Sequence, residues 1–195
     1  MLHIVMDYAN AGDLFTKLEK YKKKHVFLTE NEILDVFTQI CLAIKHIHDR
    51  KILHRDIKSQ NIFLDSNGFV KLGDFGIAKC LNYTLDKIQG GLIGTPYYLS
   101  PEIVQGKPYS FKSDIWSLGV LLYEICALKM PFEANNIPLL SLKIFKGNYN
   151  SLPNCFSSGL RSLVKSMLMV DQSKRPNINE ILSKLLNYSI YINIF

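Results

Sequence analysis

A chain of 195 residues, 48% hydrophobic and 21% charged, has globular composition and is long enough to bury one sizeable core, so one domain or most of one is expected. Its formal charge of +6 comes from scattered Lys and Arg, which argues against a nucleic-acid partner; the tight run Lys22 to Lys24 falls in a polar segment between helices and is expected to face solvent rather than to form a partner-binding patch. Cys41, Cys80, Cys126 and Cys155 lack paired metal-ligand spacing, no N-terminal signal peptide is recognised, and the longest apolar run, Trp116 to Leu128, is broken by Ser117, Tyr123 and Glu124. These features predict reduced thiols, no membrane span and a cytoplasmic location, compatible with nuclear or cytoskeletal association.

Leu2 to Met6 is apolar and predicts a short strand running into a polar linker at 7–12. A lone strand cannot satisfy its own backbone, so it needs a sheet that these residues do not supply upstream. Thr29-Glu30-Asn31-Glu32 has the spacing of a capping box, with Leu28 and Ile33 placed as a hydrophobic staple, and predicts a helix start. Ile33, Phe37, Ile40, Cys41, Ile44 and Ile47 then form one apolar helical face to about His48.

Ile62-Phe63-Leu64 and Val70-Lys71-Leu72 flank Asp65-Ser66-Asn67-Gly68, whose Asn-Gly is expected to supply the positive φ angles of a tight β-hairpin. Further helices are predicted from about Ser113 to Leu128, Leu160 to Met169 and Asn179 to Leu186. No internal repeat or low-complexity segment is present.

The hairpin places Asn61, before its first strand, and Asp74, after its second, at one open end. A carboxylate and an amide carbonyl make a poor complete cage for Mg²⁺. They suit an ion that keeps waters and takes its remaining ligands from phosphates. Asp56, on the loop leading into the hairpin, adds an oxygen group able to accept a proton, and Lys58 can offer a cation to a transferred phosphoryl. Aligned oxygens, charge neutralisation and a group that orients a hydroxyl are what phosphoryl transfer asks of a protein.

The ordered runs His54-Arg55-Asp56-Ile57-Lys58-Ser59-Gln60-Asn61 and Asp74-Phe75-Gly76 resemble the catalytic loop and Asp-Phe-Gly motif of eukaryotic protein kinases. The resemblance runs in family order over about residues 2–186. Ser100-Pro101-Glu102 stands where the family has Ala-Pro-Glu, and Asp114 to Gly119 resembles its buried central helix. Lys58 and Gly94-Thr95-Pro96 are similar to the Ser/Thr-specific class. Ile4 to Tyr8 with Gly12-Asp13-Leu14, Lys71 to Gly76 and Gly94 to Glu102 are similar to the NIMA-related (NEK) group.

The resemblance implies an α+β, protein-kinase-like fold: a mainly helical C-terminal lobe with a small β-hairpin, the N-terminal lobe largely absent. It places a partial kinase domain at 1–190 and a tail at 191–195. It implies ATP and Mg²⁺ as cofactors and a protein substrate with a Ser or Thr acceptor. Asp56, Lys58, Asn61 and Asp74 would be catalytic, Asn61 and Asp74 as metal ligands. Met6 would be the gatekeeper, the backbone of Asp7 and Ala9 would meet adenine, and Phe63 would lie under the base, where ordinary core packing serves Met6 and Phe63 equally. Asp13 would face the ribose or cap a helix. Glu102 and Arg175 would form an internal ion pair, Asp114 would hold the catalytic loop's backbone, His54 would pack beneath that loop, and Arg55 would pair with an activating phosphate.

The 195 residues depart from the family in lacking a glycine-rich phosphate loop, a strand Lys and the helix Glu that holds it. Gly91 occupies the place, three residues before Gly94, where NEK kinases commonly carry a phosphorylatable residue, which leaves Tyr83 and Thr84 as candidates in the first part of that loop. Two functions remain open on this reading: the catalytic half of a Ser/Thr kinase that is inactive as an isolated chain, or a non-catalytic lobe acting as a protein-binding module.

Overall fold

A computed structural model describes residue 3 and residues 7–75, 79–80 and 96–192, with side chains excluded at 79–80 and 187–192. All of the strand expected at Leu2 to Met6 except residue 3, the candidate Met6, and Tyr83, Thr84, Gly91 and Gly94-Thr95 lie outside the described residues.

Helix α1, Leu14–Lys23, starts where the Asp13 carboxylate accepts the Thr16 amide at 2.7 Å, and it buries Leu14 and Leu18 one turn apart. Lys22 and Lys23 belong to its last turn and Lys24 caps it, which corrects the expectation of a segment between helices. Cations there complement the negative end of the helix dipole. Helix α2, Glu30–Asp49, bears out the capping box: Glu32 Oε2 accepts the Thr29 amide at 2.7 Å, and Thr29 Oγ1 accepts the Glu32 amide at 3.3 Å. Leu28 and Ile33 are both buried beside it.

Strand β1, Ile52–Leu53, leads into the loop that ends in a 3₁₀ turn at Ser59–Asn61; β2, Ile62–Leu64, and β3, Val70–Leu72, follow as an antiparallel pair with Phe63 opposite Lys71. The connection differs from the expected Asn-Gly turn, since Gly68 alone takes positive φ (87°). Asp65 organises the loop instead: its Oδ1 accepts the amides of Asn67 at 2.9 Å and Phe69 at 2.8 Å, an Asx arrangement that needs no left-handed Asn. Strand β4, Lys79–Cys80, pairs with β1 and brings its backbone against the entry to the loop.

Helices α3 (Pro101–Val104), α4 (Phe111–Ala127), α5 (Ile137–Lys146), α6 (Ser158–Met167) and α7 (Ile178–Ile192) complete the fold. The three predicted helices correspond to α4, α6 and α7 with shifted ends; α1 was anticipated only through the cap reading of Asp13, and α3 and α5 were not anticipated. Helix α4 is buried almost all round and forms the core's axis. Trp116 stacks on Phe132 with 5.5 Å between ring centroids. Around it, α2, α6 and α7 close one continuous core, leaving the hairpin and the 3₁₀ turn at its edge.

Candidate functional site

Strand alternation turns Ile62 and Leu64 into the core, and so presents Phe63 on the opposite face of β2. There the Phe63 ring lies against Gly73, where a Cβ would stand 2.5 Å from Phe63 Cε2. Glycine is required at 73 by this close approach, not by its φ. Gly73→Ala is therefore expected to displace the ring at a cost of about 1–3 kcal/mol. Urea unfolding should show that loss vanish in a Phe63→Ala background; an equal loss in both backgrounds would assign it elsewhere.

The segment 11–13 pairs with β2 through Ala11 N to Leu64 O (3.0 Å), Leu64 N to Gly12 O (2.8 Å) and a bridge between Asp13 and Phe63. This holds residues 11–13 along the edge of β2. Asp7 lies exposed, its carboxylate accepting Lys71 Nζ at 3.0 Å. Of the two readings of Asp13, the helix cap is realised, with Thr16 N and Thr16 Oγ1 occupying its two oxygens at 2.7 and 3.0 Å.

At the hairpin's open end the Gly73 amide donates to Asn61 O at 3.0 Å, so the residue before Asp74 is fastened to Asn61. Asn61 Nδ2 donates to Asp56 O at 2.8 Å and to Asp56 Oδ2 at 3.0 Å. An amide bonded this way turns its Oδ1 away from Asp56. Lys58 Nζ donates to the same Asp56 Oδ2 at 2.6 Å. Asp56, Lys58 and Asn61 thus form one cluster. The hydrogen bonds to the Asp56 carboxylate among the described residues fall on Oδ2, leaving Oδ1 for an incoming group.

Arg55 (φ 72°) and Asp74 (φ 58°) both hold left-handed backbone, which costs on the order of 1–3 kcal/mol per residue unless the surroundings impose it. For Arg55 the imposing group is Asp114. Fully buried at the start of α4, Asp114 accepts the His54 amide (3.1 Å), the Arg55 amide (3.1 Å), the Tyr109 hydroxyl (2.7 Å) and His48 Nε2–H (2.8 Å). Burial works to raise the Asp114 pKa, but those hydrogen bonds and the His48 charge prevail and hold it below the usual range.

His54 packs fully buried under the loop. Its Nδ1 accepts the Asp56 amide at 3.3 Å, and its Nε2–H donates to Gly73 O at 3.2 Å, so a neutral imidazole bridges the two halves of the site. Burial pushes its pKa down against nearby carboxylates, which favours that neutral form. Arg55 stacks over Tyr109, 5.9 Å from the ring centroid.

Sequence reasoning missed a second mooring. Glu124, buried in α4, accepts the Tyr98 hydroxyl at 2.5 Å and the Ser59 hydroxyl at 3.0 Å. It ties the 3₁₀ turn to residues 96–98, and burial raises its pKa. The available signal was a carboxylate inside an apolar helix, which needs a buried partner. Glu102 and Arg175 form the expected pair, with two bonds of 2.8 Å.

The protein kinase domain profile matches residues 1–186. Over 183 residues the chain is 54% identical to the serine/threonine-protein kinase Nek1 of Mus musculus, covering 94% of this chain and 15% of that protein. It is 53% identical over 184 residues to Nek5 of Homo sapiens (94% of this chain, 26% of that protein). To the probable serine/threonine-protein kinase nek3 of Dictyostelium discoideum it is 52% identical over 185 residues (93% and 16%). The chain therefore spans only about 15 to 26% of the length of these relatives.

Proposed function

Because the chain belongs to the protein kinase domain family, we propose that it carries the phosphoryl-transfer half of a NEK-like Ser/Thr kinase, which moves the ATP γ-phosphate to a Ser or Thr hydroxyl of a protein substrate. The observation that supports this reading is the joined cluster of Asp56, Lys58 and Asn61, with Gly73 fastening the approach to Asp74.

Asp56 Oδ1 orients the acceptor hydroxyl and takes its proton, while Asp56 Oδ2 is held by Lys58 and Asn61. Lys58, steadied by Asp56, offers positive charge beside the transferred group. Asn61 Oδ1 and the Asp74 carboxylate are hard oxygen donors and fit Mg²⁺; among the described residues no group of three His, Cys, Asp or Glu could hold a metal, so the two would share the ion with phosphate oxygens and water. When bound, Mg²⁺ neutralises phosphate charge. The backbone of Asp7 and Ala9 would meet adenine beside Met6, Phe63 would lie under the base, and Asp13 would approach the ribose while capping α1.

The 195 residues contain no glycine-rich phosphate loop, strand Lys or helix Glu, so the chain by itself is expected to transfer no radiolabel above an Asp74→Ala control. Joined to the N-terminal lobe of a similar kinase, it is expected to gain activity. Asp56→Asn should then lower kcat about 100- to 10,000-fold with nucleotide affinity nearly unchanged. Near-normal turnover by that variant would remove Asp56 from the mechanism. Failure of the joined protein to transfer at all would favour the alternative, a non-catalytic binding module, for which the exposed apolar face of α5 speaks.

A further inference from the structure

Helix α5 carries an apolar face that its own fold does not cover. At 100° per residue, Leu140 and Ile144 point into the core, and Leu142 points almost directly away from it. Leu139, Leu142 and Phe145, spaced three residues apart, are 49%, 47% and 50% exposed and form a ridge of large side chains on a helix of only ten residues. Single exposed apolar residues are ordinary, but a contiguous ridge rimmed by polar groups marks an interaction surface.

The rim has one dominant sign. Lys143 and Lys146 lie along one flank of the ridge and α5 contains no acidic residue. With Lys129 they border a cavity of about 510 Å³ whose walls include Tyr123, Met130 and Tyr149. Among the described residues no carboxylate lies within ion-pair distance of Lys129, Lys143 or Lys146. Lys143 Nζ instead donates to the backbone carbonyl of Glu133 at 2.6 Å. Glu133 is the one acidic residue on the cavity wall, and its Oε1 accepts the Met130 amide at 3.3 Å. Three cations against one engaged carboxylate leave a positive pocket beside an apolar ridge.

We propose that the α5 face is a docking site for an acidic amphipathic helical segment of a partner protein, its apolar side chains packing on Leu139, Leu142 and Phe145 and its carboxylates entering the Lys129–Lys143–Lys146 pocket. Charge complementarity selects that occupant over a basic or neutral helix, and over a second copy of this chain, which carries +6. Helix α5 itself packs against α3 and the turn at Pro96–Tyr98, and Tyr98 borders the same small cavity as Asp56. The site stands whether or not the chain transfers phosphate.

The test is fluorescence anisotropy of the 195-residue chain with a labelled peptide of about 14 residues, Leu on one helical face and Glu elsewhere, beside the same peptide with Lys in place of Glu. The Glu peptide is expected to bind at least about ten-fold more tightly, and Phe145→Asp and the Lys143→Glu/Lys146→Glu pair should each weaken it by a similar factor. These side chains are exposed, so circular dichroism and Trp116 emission should not change. Equal binding of the two peptides, no measurable binding of the Glu peptide, or unchanged affinity in the variants would overturn the assignment. So would sedimentation showing that the chain self-associates through this face, or a phosphoserine peptide without the Leu ridge binding equally well.

Discussion

Replacing Asp114 with Asn is expected to destabilise the chain by about 3–5 kcal/mol and to release the catalytic loop. Four donors converge on the two Asp114 oxygens: the His54 and Arg55 amides, the Tyr109 hydroxyl and His48 Nε2–H. Asn keeps one oxygen and presents an NH₂ in place of the other, so at least one backbone amide, that of His54 or Arg55, faces a donor in a fully buried site. Each buried polar group left unsatisfied costs about 1–3 kcal/mol, and the left-handed Arg55 loses what imposed it. Against a domain stability of roughly 5–15 kcal/mol this is a large fraction. The single tryptophan, Trp116, is fully buried and reports unfolding in urea. The midpoint should fall by about 1–3 M, with amide exchange at His54 and Arg55 accelerated beyond the global change. A shift worth under about 1 kcal/mol would show that the loop holds its shape without Asp114.

The elements legible in the sequence are those whose cause is local. Thr29 and Glu32 form their box from three-residue spacing alone, and β2 and β3 follow from two short apolar-rich runs flanking a polar loop. Asp56, Lys58 and Asn61 meet because a short loop and a 3₁₀ turn hold them together. Helix α5 was hidden because Pro138 breaks the expected pattern and apolar residues fall on nearly every face. Proline in the first turn lacks only an amide that has no helical partner anyway, and Asn136 caps the start by accepting the Leu139 amide at 2.9 Å. Helix α1 was legible only at its Asp13 cap and not by periodicity, for the opposite reason: Leu14 and Leu18 are its only buried residues in a lysine-rich stretch. Glu124 looked like an interruption of an apolar run because its partners, Ser59 and Tyr98, lie far away in sequence. No local period records such a pairing.

The second large effect is expected at Arg175, where Arg175→Met should cost about 3–5 kcal/mol near neutral pH and less as the pH falls. Arg175 and Glu102 are both buried. The guanidinium spans the two Glu102 oxygens at 2.8 Å each and also donates to the carbonyls of Met169, Lys112 and Val170, while its Cζ lies 4.9 Å from the Trp116 ring centroid. Burial tends to raise the Glu102 pKa. Arg175 hydrogen bonds and charge, with Ser113 Oγ donating at 2.7 Å, outweigh it and leave the pKa lowered. A lowered carboxylate pKa adds stability above the ordinary Glu range, and that stability is lost as pH drops through the folded-state value. Without Arg175 the sign reverses: burial dominates, the Glu102 pKa rises, and protonation favours the folded state, so the deficit of the variant should narrow on acidification. Urea midpoints read through Trp116 at several pH values measure this directly. A Glu102→Leu/Arg175→Met pair removes both charges and should be more stable than Arg175→Met alone, although the three carbonyls lose their donor. If the deficit is independent of pH and the double change is no better than the single one, the loss comes from packing against Trp116 and from those carbonyls, and the buried carboxylate is not its source.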